Sequence, residues 1–179
     1  MQVSRFLVLI SLLFLSISAG AQNASRDAIK AGFAYNLLTV EDAFVPMGYL
    51  EYTRVFFPPI TIGVGANYSV ADNITTATEN RKLTTFAFDL MGYFSFFEDR
   101  KHDMKAGFMM SARSFLTEWE NIDDETSGKD RLFHPGIGAI LNYDYQISDS
   151  FLMGVKGSFT QYNNASSVFT FGGHVGVSF

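Results

Sequence analysis

Eight residues able to carry charge or move a proton recur at wide intervals in this sequence: Lys30, Glu51, Asp89, Lys105, Arg113, Asp144, Lys156 and His174. Nucleophilic catalysis would need one of them to act as a base within hydrogen-bond reach of a hydroxyl or thiol. There is no cysteine. The residues two positions beyond His102, His134 and His174 are Met104, Gly136 and Gly176, so no His-x-Ser arrangement exists. Ser158 could approach His174 only through folding; the competing reading is that His174 is a structural hydrogen-bonding group. Metal chemistry has little support, because the histidines are dispersed. The acid-rich stretch from Glu118 to Arg131 does not match a calcium-loop spacing. It reads as a solvated acidic loop, or as one that weakly gathers divalent ions. The eight residues comprise four cations, three anions and one histidine. Near-balanced signs point to mutual pairing, which is how buried charges persist. A selective pore would show one sign around a constriction. No catalytic residue, metal site or cofactor is expected.

What must position these residues is a set of strands. Apolar and polar residues alternate with period two over eight segments, near 28–38, 47–56, 60–70, 82–96, 104–116, 133–147, 151–161 and 168–179. One parity is apolar: Ile29, Phe33 and Tyr35; Phe86, Phe88 and Leu90; Phe151, Met153 and Val155. Arg54 is the sole charge on that face, beside the FFPP turn, where it is expected to snorkel to headgroups. All eight charge-bearing candidates share the other parity, with Asn36, Asn67, Asn142, Ser111 and many glycines. An apolar belt of this size is not tolerated on a soluble monomer. In lipid, a closed sheet satisfies every backbone group and leaves no edge. The connections alternate between longer segments such as TEWENIDDETSGKDRL and shorter ones such as FFPP and SDS. The expectation is therefore an all-β, eight-stranded antiparallel up-and-down transmembrane barrel, with a polar interior filled by side chains.

The amino-terminal residues add a compartment. Arg5 precedes the apolar run Phe6 to Ile17, followed by Ala19-Gly20-Ala21. This is the layout of a secretory signal peptide, expected over residues 1–21, leaving 22–179 as one barrel domain. The apolar run is short for a helical span. The 158-residue remainder carries 12 basic and 18 acidic residues, a net charge of −6 that does not suit nucleic acid.

The final strand runs Phe171, Gly173, Val175, Val177, Phe179 on one face. This pattern resembles the carboxy-terminal assembly signal of bacterial outer-membrane barrels. The whole region from residue 22, including PGIGAILNYDYQISDSFLMGVKGSF, resembles the small eight-stranded outer-membrane barrels of the OmpA and OmpX type. The likeness is to the barrel alone, without the peptidoglycan-binding domain of longer members. It implies location in a Gram-negative outer membrane, with outer-membrane lipid and lipopolysaccharide, the barrel-assembly machinery and periplasmic chaperones as partners. The role it implies is non-enzymatic: envelope integrity, surface interaction or adhesion through loops that meet some extracellular ligand. Lipid-modifying relatives carry His-x-Ser, which this chain lacks. A narrow pore for small solutes, or a subunit of an envelope secretion or conjugation machine, remain the alternative expectations.

Overall fold

The computed structural model describes residues 27–39, 43–75, 79–121, 127–163 and 166–179. The expected signal segment lies outside them. Eight strands follow in order: β1 (Asp27–Leu38), β2 (Ala43–Phe57), β3 (Ile60–Thr75), β4 (Glu79–Glu98), β5 (His102–Asn121), β6 (Ser127–Gln146), β7 (Phe151–Tyr162) and β8 (Ser167–Ser178). Each pairs antiparallel with its neighbours, and β8 pairs back to β1, closing the ring.

The register fixes the geometry of that ring. The pairs run from Ala28 to Thr53, Gly63, Met91, Met109, Gly138, Thr160, Val168 and back to β1 at Leu38. The path returns ten positions further along β1 than it began, from 28 to 38. For eight strands this stagger sets a tilt of about 40° and a lumen that side chains can fill. A 12-residue strand such as β1 or β7 then rises roughly 30 Å, close to one bilayer core.

Period-two alternation decides which side chains face out. Phe33, Leu50, Phe88, Phe108, Ile137, Val155 and Phe171 are exposed on the outer surface. Lys30, Asn36, Glu51, Arg113, Asn142 and His174 are buried inside. Glycine occurs inside where rings need room. A Cβ at Gly32 would overlap the Tyr49 ring, and one at Gly154 would fall 2.5 Å from His174 Nε2.

Two expectations are corrected. The segments assigned to long loops are largely strand. Thr117–Asn121 continues β5 and Ser127–Leu132 belongs to β6, so the connection there is only residues 122–126. Residues 71–75 and 79–81 likewise extend β3 and β4. Polar residues on both faces hid these extensions, because alternation marks a strand only where one face is apolar. The result is a wall of uneven height: β4, β5 and β6 have 20 residues each, and β1, β7 and β8 have 12. Second, the interior is not uniformly polar. Met91, Tyr93, Met109 and Ile140 form one apolar layer within it, and Leu38, Val45, Leu83, Tyr162 and Val168 form another nearer the β1–β2 end.

Proline marks where the tall wall separates. Pairing of β2 with β3 ends at Met47, and the next residue is Pro46. Pairing of β6 with β7 ends at Gly136, and the next is Pro135. A residue without an N–H is tolerated where one side of a strand loses its partner. Beyond Pro135, among the described residues, β6 is paired only with β5, so residues 127–133 have no strand partner on their other side.

Candidate functional site

The charged residues come together in the half of the lumen nearer the β2–β3 and β4–β5 turns. Asp144, from β6, is the centre of one group. Its Oδ2 accepts from Lys30 Nζ at 2.7 Å and from Lys105 Nζ at 3.1 Å, and its Oδ1 meets His174 Nε2 at 2.7 Å. A carboxylate has only acceptors, so His174 Nε2 carries the proton in that contact. On the other side of the ring, His174 Nδ1 lies 3.1 Å from the Tyr49 hydroxyl. Lys105 also reaches Asp103 at 2.6 Å. Glu51, from β2, is the second centre: Oε2 accepts from Lys156 Nζ at 2.6 Å and Oε1 from the Tyr93 hydroxyl at 3.0 Å. Lys156 Nζ also sits 4.3 Å from the centroid of the Tyr49 ring, a favourable cation–π distance. Tyr49 therefore joins the two groups.

This arrangement satisfies every charge at its centre. Lys30 is 2% exposed and Glu51 1%. Isolated ions at such depth would be strongly destabilising; paired and hydrogen-bonded, they persist. Chemically the network offers no free nucleophile. Ser158 pairs with Thr170 across β7–β8, whereas His174 stands opposite Gly154, so the two do not meet.

Asp89 and Arg113 do not join the network, contrary to the expected pairing of all seven charges. Asp89 Oδ2 accepts from Asn67 Nδ2 at 2.8 Å. Arg113 lies with its guanidinium carbon 5.1 Å from the Tyr162 ring and 5.9 Å from that of Phe115. Among the described residues it makes no ion pair. Two members escaped sequence reasoning. Asp103 sits at the start of β5, beside a turn. Tyr49 resembles any aromatic; its signal was its parity, shared with Glu51 and Met47. A polar recess of about 360 Å³ opens at this end of the barrel, with Lys30, Asp144, Lys105, Asp103, Arg100 and Gln146 among its lining.

On the outer surface, Arg54 has an acidic neighbour on β1. Its Nε approaches Asp27 Oδ1 at 3.7 Å, and the Tyr52 hydroxyl donates to Asp27 Oδ2 at 2.9 Å. A carboxylate one strand away, at the paired position 27, satisfies the cation locally. Phe171, Val175, Val177 and Phe179 are exposed on the outer face of β8 and the residue beyond it, with Gly173 among them.

At the tall side of the wall the outer face changes character in rows. Phe86, Ser114 and Phe133 are paired across β4–β5–β6; the next row is Thr84, Leu116 and Arg131, and the next is Lys82, Glu118 and Lys129. Glu118 bonds Lys129, and that hydrogen bond holds its carboxyl below the usual range. Arg131 Nε donates to Ser114 Oγ at 3.2 Å.

An eight-stranded closed up-and-down barrel, apolar outside and charged within, is the fold of the small outer-membrane barrels. The chain is similar in structure to Ail, the attachment invasion locus protein of Yersinia pestis, with a TM-score of 0.65 at 9% identity over 88% of this chain and 100% of that one. It is similar also to a major outer membrane protein from Thermus thermophilus (TM-score 0.68, 10% identity, 88% and 100% covered). A third likeness is to the outer membrane protein OprG from Pseudomonas aeruginosa (TM-score 0.57, 12% identity, 87% and 96% covered). No family model matches the sequence, and no curated protein sequence matches it.

Proposed function

We propose that this chain is a non-enzymatic outer-membrane barrel that holds its β3–β6 extension outside the cell as an interaction surface, with a role in adhesion or envelope integrity. The observation that carries the reading is the uneven wall. Strands of 20 residues rise well beyond the apolar belt and, among the described residues, end in a β6 edge at residues 127–133 with no strand partner. An edge of this kind offers backbone donors and acceptors to an extended segment of a partner. The partners that go with the reading are outer-membrane lipid and lipopolysaccharide, the barrel-assembly machinery and periplasmic chaperones. The strand ending in Phe179 is the segment the machinery would read; Phe179→Ser should lower the amount of folded barrel in the membrane. The satisfied ion pairs and the two apolar layers favour a closed lumen over the narrow pore.

Because the chain has no cysteine, a single Ser127→Cys variant provides a clean test. In intact cells a membrane-impermeant maleimide should label it, and the folded protein should be silent in a planar bilayer. Protection of residue 127 in cells that become labelled on lysis would overturn the orientation. Stable conductance steps would overturn the closed lumen.

A further inference from the structure

The polar recess at the β2–β3 and β4–β5 end offers chemistry that neither the closed lumen nor the tall wall uses. Its lining includes Lys30, Lys105, Asp144 and Asp103. Further along the same strands, Met109 on β5 and Ile140 on β6 belong to an apolar layer, so the recess is blind. The charges at its floor are compensated, but their hydrogen-bonding capacity is not filled. An ammonium has three donors. Among the described residues, Lys30 Nζ uses one, on Asp144, and Lys105 Nζ uses two, on Asp144 and Asp103. Both lysine side chains are more than nine-tenths buried. Asp103 Oδ2 holds Lys105, while its Oδ1 has no hydrogen-bond partner. The Asp103 side chain is 24% exposed, and the terminal torsion of an aspartate is soft, so Oδ1 turns readily towards a ligand. The unused donors and acceptor belong to groups already in contact: both lysines bond Asp144 Oδ2, and Asp103 bonds one of them. The lining as a whole is balanced in charge, with four acids against four bases besides His102.

We propose that this recess binds a free α-amino acid. The carboxylate of the ligand bridges the spare donors of Lys30 and Lys105, and its ammonium donates to Asp103 Oδ1. An α-amino acid holds its two charges on one carbon. The recess holds the complementary pair just as close, because Lys105 and Asp103 are two residues apart on the inner face of β5 and bond at 2.6 Å. A balanced lining favours a ligand without net charge; a lone dianion would face the Asp103 and Asp144 carboxylates with nothing to offset it. Charge-assisted hydrogen bonds to groups this deeply buried are stronger than in water. The side chain of the ligand points to the mouth, past Pro59 and Leu152. A volume of about 360 Å³ lies at the small end of ligand pockets, enough for one such molecule. The recess opens at the end opposite the tall wall, so the inference does not rest on the proposed interaction surface.

The folded protein in phosphatidylcholine nanodiscs is titrated with L-alanine, and binding is followed by saturation-transfer NMR of the alanine methyl group. N-acetyl-L-alanine, which lacks the ammonium, and L-alaninamide, which lacks the carboxylate, are titrated in the same way. Alanine should bind saturably, and each analogue should bind about tenfold more weakly or worse, the loss of one charge-assisted hydrogen bond. Asp103→Asn should weaken alanine by about tenfold without weakening N-acetyl-L-alanine further, a split that a merely structural role of Asp103 does not produce. Lys129→Gln, on the tall wall, should leave alanine binding unchanged. The comparison of the three compounds on the parent protein needs no variant, so it decides the matter even where Asp103→Asn does not fold. Absence of saturable binding at millimolar alanine, or equal binding of alanine and N-acetyl-L-alanine, would overturn the inference. So would displacement of alanine by inorganic phosphate at lower concentration than alanine itself requires, since that would mark a plain oxyanion site. Failure of the maleimide test with these results intact would refute only the orientation of the barrel.

Discussion

Replacing Asp144 by Asn tests whether the lumen is held by its charges. The carboxylate accepts from Lys30 and Lys105 on one oxygen and from His174 on the other. An amide keeps the volume but provides one acceptor in place of two and no charge. Lys105 retains Asp103 at 2.6 Å. Lys30, buried to 2% exposure, has no other carboxylate within ion-pair distance among the described residues; it loses its direct counter-ion and keeps only the longer-range attraction of Glu51. Removing one partner of a buried pair costs about 3–5 kcal/mol, a factor of roughly a hundred to several thousand in the folding constant. With a urea dependence of about 1–3 kcal/mol per molar, the midpoint for unfolding from lipid vesicles should fall by about 1 M or more, followed by far-ultraviolet circular dichroism. Adding Lys30→Met to Asp144→Asn should restore part of the loss, because the stranded charge is then gone, with a coupling of about 0.5–3 kcal/mol. An Asp144→Asn protein within about 1 kcal/mol of the parent, or strict additivity of the pair, would refute the view that Lys30 depends on Asp144.

Three further outcomes are expected. Phe108 is the most exposed apolar side chain of the belt at 81%; Phe108→Arg should destabilise the protein in bilayers by about 2–4 kcal/mol, and an unchanged urea midpoint would argue that β5 does not face hydrocarbon. Gly154→Ala should cost about 1–3 kcal/mol through overpacking against His174 and the Tyr143 carbonyl, whereas Gly92→Ala, with open space at its Cβ, should cost little; thermal denaturation of the two compares them. At the β4–β5 turn, Asp99 Oδ1 accepts from the backbone N–H groups of Lys101 and His102, both at 2.7 Å, which lowers its pKa from the ordinary carboxylate value. The folded-state value being the lower one, this contribution is fully present above the unfolded carboxyl range and is lost as pH falls through the depressed value. Hydrogen exchange at Lys101 and His102 should therefore lose protection in acid below about pH 4 in the parent, and show no such step in Asp99→Asn.

The sequence by itself determined the number of strands, their antiparallel order and the face each residue takes. Period two is a local property: once Phe86, Phe88 and Leu90 are outside, Asp89 has to be inside, whatever the rest of the chain does. Turn chemistry is equally local, which is why Pro58-Pro59 and Ser148-Asp149-Ser150 mark the ends of strands in both readings. The heights of β4, β5 and β6 were not legible, because TEWEN and SGKDRL have no apolar face once above the belt and carry the composition of a loop. Their strand character comes from pairing with each other: Lys82 with Glu118 and Glu118 with Lys129. Nor was the choice of partners inside legible. Parity puts four cations and three anions in one lumen but does not say which of them touch. The ten-residue stagger between Ala28 and Leu38 decides that. It brings Lys30 to Asp144 and Lys156 to Glu51, over separations of 114 and 105 residues, and leaves Asp89 to Asn67 and Arg113 to the ring of Tyr162. Stagger is a property of the closed ring and of no single strand, so only the tertiary structure could assign those contacts.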